Sequence, residues 1–115
     1  MIRDNGILYF GYFKGMEYTK HSDKELEDDF EMYLKFKNDL PKDRIIRHIE
    51  EDLKPGIACM QTFDIFTGEE LVAGQYRDGK FAFPTDFLHY LKKYDIGIPY
   101  EYEEYLKETL KSNVA

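Results

Sequence analysis

The spacing of apolar positions changes along this chain, and each change marks an element. Residues 7–18, "ILYFGYFKGMEY", are rich in strand formers and carry two glycines that disfavour a helix, so they read as an N-terminal strand after a turn at Asn5-Gly6. In residues 21–40 the period becomes helical. Ser22 followed by Glu25 has the capping-box spacing, Leu26, Phe30, Tyr33, Leu34 and Lys37 share one stripe, and Glu27, Asp28, Glu31 and Lys35 take the opposite face. Pro41 opens a second helix with Ile45, Ile46, Ile49 and Leu53 on its apolar side, and Pro55-Gly56 closes it.

From Ile57 the pattern is that of strands. "IACMQTFDIF" and "LVAGQY" flank Thr67-Gly68, and Asp78-Gly79 between two strand-like runs predicts a type I′ hairpin turn. Phe81 and Phe83 then share a strand face, Pro84 ends the strand, and Thr85 caps a helix with Phe87, Leu88, Leu91 and Tyr94 on one side. "DIGIP" breaks that helix, and residues 100–110 form the last one, with Tyr102, Tyr105, Leu106 and Leu110 inward. The elements predict a single α+β domain over residues 1–115, an antiparallel β-meander packed against several helices.

Composition adds to this in two places. Aromatic residues make up 17% of the chain, with 10 Tyr, 9 Phe and no Trp, so rings must supply much of the core volume. The cluster Phe81, Phe83, Phe87, Leu91 and Tyr94 therefore reads as core. The net charge of -7 disfavours binding to a phosphate backbone and suits a basic protein partner. The single Cys59, the lack of a signal-peptide pattern and an apolar run too short to span a bilayer point to a cytoplasmic protein without membrane attachment.

Few residues invite chemistry. Cys59 lies between Ala58 and Met60 in an apolar strand and is expected to be buried and inert. His21, His48 and His89 lack the spacing of a zinc site, so no metal and no cofactor is expected. No phosphate loop, dinucleotide fingerprint or nucleophile elbow is present, and "DIFTGEE" lacks the ligand alternation of a calcium loop. His89 beside Asp86 could orient an imidazole, the one pairing that would suit a small enzyme; no catalytic residue is assigned from it. Two acidic segments remain, "ELEDDFE" and "YEYEEY". Carboxylates beside tyrosines would suit an Arg- or Lys-rich surface, which makes Glu101, Glu103, Glu104, Tyr100, Asp28 and Asp29 the candidate partner-binding residues.

Residues 64–105 also resemble a pattern in small bacterial proteins, some of them similar to immunity proteins of bacterial toxin systems. The matching positions are Asp78, Gly79, Phe83, Pro84, Tyr90, Tyr94, Pro99, Glu101 and Tyr102; the pattern often has Trp where this chain has Phe83. The resemblance implies an inhibitor that covers a basic surface of a partner protein. A homo-oligomeric accessory protein, its surplus rings filling a subunit interface, is the alternative reading.

Overall fold

In the computed structural model, which describes residues 1–20 and 24–111, the chain forms an α+β domain around a five-stranded sheet. The strands are β1 (Ile2–Asp4), β2 (Ile7–Tyr9), β3 (Gly56–Phe63), β4 (Glu70–Asp78) and β5 (Phe81–Pro84). The helices are α1 (Phe30–Leu34), α2 (Lys42–Asp52), α3 (Thr85–Lys93) and α4 (Tyr100–Lys111). The sheet order is β1-β2-β5-β4-β3, and every pairing is antiparallel except β2 with β5. The expected meander thus holds for β3, β4 and β5, while the N-terminal hairpin joins β5 in parallel.

The first hairpin turn has the type that an Asn-Gly pair favours, and the second departs from the expected one. Asn5 and Gly6 both have positive φ (51° and 81°) between Asp4 and Ile7, the requirement of a type I′ turn. At the second hairpin the loop is Gly79-Lys80 rather than Asp78-Gly79. Gly79 alone has positive φ, at 58°, which is the type II′ pattern, and Asp78 is the last paired residue of β4. A Cβ at Gly79 would stand 2.7 Å from the Tyr105 hydroxyl. Gly79→Val should therefore cost about 2 kcal/mol, roughly half from the left-handed backbone and half from displacing Tyr105. A lowered denaturation midpoint with unchanged slope checks it.

Over the described residues 24–40 the expected long helix is not formed. Ser22 and His21 lie outside the described residues. Beyond them, a 3-10 turn at Lys24–Leu26 leads into an extended stretch, where Asp28 bridges to Phe13. Only α1, five residues long, is helical, and its N-cap is Asp29, whose carboxylate accepts from the Glu31 amide. Asp28 causes the break, because its carboxylate is drawn inside. It accepts from the Gly11 amide (2.9 Å), from the Tyr33 hydroxyl (2.5 Å) and from the Met1 amine. A buried carboxylate with these donors outweighs the weak helix preference of the surrounding residues.

The other helices follow their apolar spacing. Ile45, His48 and Ile49 are the buried residues of α2, and Phe87, Tyr90 and Leu91 are buried on α3. One core joins the sheet and helices, with Phe10, Phe13, Tyr33, Phe83, Phe87, Tyr90 and Tyr102 all shielded from solvent. Phe81, Phe83, Phe87 and Leu91 are inside, as their spacing indicates, and Tyr94 is partly buried at the edge of the cluster.

Candidate functional site

The residues available for contact are concentrated on the β3–β4 hairpin. Ile57 is 68% exposed and Val72 69%, and Met60, Phe63 and Phe66 are exposed as well. The pairs Ile57 with Gly74, Gln61 with Val72 and Phe63 with Glu70 set Ile57, Phe63 and Val72 on one face of the hairpin, while Thr62 and Ala73, on the opposite face, are buried. Between Ile57 and Gln61 the register slips, so that Ala58, Cys59 and Met60 bow out of the ladder. Of the elements outside the sheet, the one packed most closely against β3 is the 3-10 turn Glu17–Thr19. At the hairpin tip Phe66 joins Phe30, Leu34 and Ile65 along a groove of about 400 Å³. A second groove, of about 600 Å³, runs between Val72 on β4 and Leu88, His89 and Lys92 on α3.

Cys59 is part of this surface. It was expected to be buried, but it is exposed. The bulge explains the difference: a residue bowed out of its ladder no longer follows the in-out alternation of the strand. A thiol reagent should therefore label Cys59 in dilute native protein at a rate close to that in denaturant. Strong protection without denaturant would place the side chain back inside.

The acidic face expected on α4 is divided by the structure. Tyr100, Glu101 and Glu104 are exposed, Glu101 pairing with Arg3 (2.5 Å) and Glu104 with Lys107 (3.3 Å). Glu103 is not on that face. It is only 4% exposed and accepts from the amides of Asp39 (2.5 Å) and Leu40 (3.0 Å) and from the Asn38 side chain (3.2 Å). Its carboxylate supplies acceptors for the loop that enters α2, so charge at this position is structural. Asp28, only 3% exposed, is likewise removed from the partner-binding set, while Asp29 is exposed beside Lys14.

Two histidines carry the interior's polar chemistry, with partners that differ from the expected ones. His89 Nε2 bonds Asp64 (2.7 Å) rather than Asp86. Asp64 also accepts from the Tyr94 hydroxyl (2.8 Å) and the amides of Phe66 (2.8 Å) and Thr67 (3.1 Å). Burial pushes its carboxyl up, but these donors, led by His89, bring it down to about 2. The group fastens the hairpin tip to α3. Asp86 accepts from the Tyr18 hydroxyl (2.8 Å), its other oxygen lies buried without a partner among the described residues, and burial raises its pKa. It does not form the imidazole-orienting pair with His89.

His48 is held between two carboxylates, Asp52 at Nδ1 and Asp78 at Nε2, each at 2.8 Å. The bond to Asp78 raises its pKa against the effect of burial, so the ring is favoured as an imidazolium donating from both nitrogens. Asp78 also accepts from Tyr102 (2.7 Å) and Tyr105 (3.1 Å). Burial alone would raise its pKa; His48 and Tyr102 outweigh that and hold it below the ordinary value. Among the described residues no three His, Cys, Asp or Glu converge to hold a metal ion. No helix of the described residues is long and apolar enough to cross a membrane.

No protein-family model, curated protein or solved structure matches this chain.

The sequence did hold a signal for the hairpin surface. Residues 55–63 contain no charged side chain, whereas exposed edge strands ordinarily carry one. The His48–Asp78 pair had no such signal, because Asp78 doubles as a hairpin residue and the two are 30 positions apart.

Proposed function

We propose that this protein is a protein-binding module whose contact surface is the β3–β4 hairpin. The observation that carries the reading is the set of five large apolar side chains, Ile57, Met60, Phe63, Phe66 and Val72, left exposed on one hairpin. Apolar surface grouped in this way marks a site of association, since scattered single residues are the ordinary condition of a protein surface. The carboxylates of Asp29, Glu101 and Glu104 add long-range attraction for a basic partner. The resemblance over residues 64–105, which includes the tip and β4, supports the narrower reading of an immunity-like inhibitor.

Affinity capture with the wild type, with Ile57→Ser/Val72→Ser and with Glu101→Gln/Glu104→Gln tests this. The hairpin variant should lose the captured protein. The charge variant should retain it with an on-rate lowered at low salt and equal to wild type at high salt, because exposed charges are screened over about 8 Å at physiological ionic strength. Undiminished capture by the hairpin variant would move the contact surface elsewhere. Glu103 is left out of the charge variant because its loss would disturb the fold.

A further inference from the structure

We infer that the occupant of the β3 surface is a second copy of this chain, lying antiparallel to the first about a two-fold axis near Cys59 and Met60. The inference rests on the reading of the hairpin as a contact surface and names what covers it.

The first argument is the contrast between the two sheet edges. β1 is three residues long and carries Arg3 and Asp4, the short charged form that resists strand addition. β3 is eight residues long, ends the sheet on the other side, and contains no charged residue and no proline. Its one protective feature is the bulge at Ala58–Met60. Centring the axis on that bulge leaves two regular stretches free to pair. Gly56 and Ile57 of each copy then run beside Gln61 and Thr62 of the other, giving two short ladders on either side of the bowed centre.

The second argument is the order of charge along the strand. Lys54 stands just before β3, the middle is neutral, and Glu69 and Glu70 stand at the hairpin tip beyond its other end. All three are exposed, and among the described residues Lys54 and Glu70 have no ion-pair partner. A strip that runs from positive through neutral to negative is complementary to itself when reversed. The two-fold brings Lys54 of each copy to the acidic tip of the other, and it does so twice. A uniformly basic partner would meet Lys54 and would find no carboxylate along the middle of the strip. Although each copy carries a net charge of -7, Glu69 is already paired with Lys93, so Lys54 and Glu70 balance across the contact.

The third argument is the side chains of the strand itself: Ile57, Met60 and Phe63 stay exposed along β3, where a strand paired at that edge would pack beside them.

Sedimentation of the full chain over a concentration series should show a monomer–dimer equilibrium. Lys54→Glu and Glu70→Lys should each weaken the dimer about tenfold, because two ion pairs become two repulsions. An equimolar mixture of the two variants should recover wild-type affinity, since each mixed dimer contains one restored Lys–Glu pair and one inverted pair of the same kind. A short bismaleimide should link two Cys59 thiols in native protein and should fail after dilution below the dissociation constant. Both variants change only exposed side chains, and cooperative melting of the dilute monomers would confirm that they fold. A monomer at every concentration, or a dimer indifferent to both single variants, would overturn the inference. If the chain is monomeric while the Ile57→Ser/Val72→Ser variant still loses a captured protein, the second copy is excluded and the hairpin remains the contact surface. If neither capture nor dimerisation depends on the hairpin, both readings fall.

Discussion

Replacing Asp78 with alanine should destabilise the protein by about 3–5 kcal/mol, the usual cost of removing one partner from a buried ion pair. The carboxylate joins three elements. It ends β4, accepts from His48 on α2, and accepts from Tyr102 and Tyr105 on α4. Without it the buried imidazole keeps only Asp52, and the Tyr102 hydroxyl is left in the core without its acceptor. Tyr102→Phe removes one donor while the other two bonds remain, so its cost should be about 1 kcal/mol. Chemical denaturation of both variants provides the comparison. Equal losses would mean that the Tyr102 hydroxyl bond, rather than the pairing of Asp78 with His48, holds the network.

The same network gives stability a pH window. The folded pKa of His48 lies above its ordinary 6.5, so its contribution is complete below 6.5 and is lost as pH rises through the folded value. Asp78 is depressed below 3.8, so its contribution is complete above 3.8 and is lost as pH falls through the folded value. Wild type should therefore gain its largest advantage over Asp78→Asn between these limits, and the difference should narrow on both sides. An advantage that grew steadily from pH 6 to pH 9 would show that the imidazole is buried neutral.

Helices whose apolar residues repeat at helical spacing were legible in the sequence. The α2 stripe of Ile45 and Ile49 and the α3 stripe of Phe87 and Leu91 are buried where the period places them. The segment before α1 misled for a physical reason. Leu26, Phe30 and Tyr33 have helical spacing, but the gain from continuing that helix is smaller than that from turning Asp28 inward to the Gly11 amide and Tyr33. Such a bond links positions 17 residues apart and leaves no periodic trace. Glu103 misled in the same way. It sits among alternating tyrosines and glutamates that read as a solvated helix face, yet its donors lie on the loop at Asp39 and Leu40, about sixty residues upstream. Cys59 shows a different limit, since strand alternation predicts burial only while the register holds. The candidate contact surface was thus partly legible as an uncharged run. The exposure of that run depends on which strand lies at the sheet edge, and that is a property of topology.

Phe87→Ala should be as damaging as the loss of Asp78, at about 3–5 kcal/mol, because Phe87 couples two groups of rings. On one side lie Phe10 and Phe83, with ring centroids 5.4 and 5.7 Å away; on the other lie Phe13 and Tyr33, at 6.1 and 5.7 Å. Phe10 continues to Phe81 and Tyr102, and Phe13 to Phe30 and Tyr90, so a cavity at Phe87 would loosen both the β5–α4 side and the α1 side of the core. Phe87 also lies over Gly11, where the chain leaves β2 with φ of 78°, and a Cβ there would stand 2.7 Å from the Phe87 ring. Gly11→Ala alone should therefore cost about 2 kcal/mol or more, part of it backbone strain and part ring collision. Combining the two changes separates these parts. In the double variant the space left by the ring accepts the new methyl group, so the collision disappears while the left-handed backbone still opposes alanine. The combined loss should be smaller than the sum of the single losses by about 1 kcal/mol, a coupling that double-mutant denaturation cycles resolve. Strict additivity would mean that the ring is already free to move away from Gly11, and that Phe87 fills its site without fixing the path of the chain out of β2.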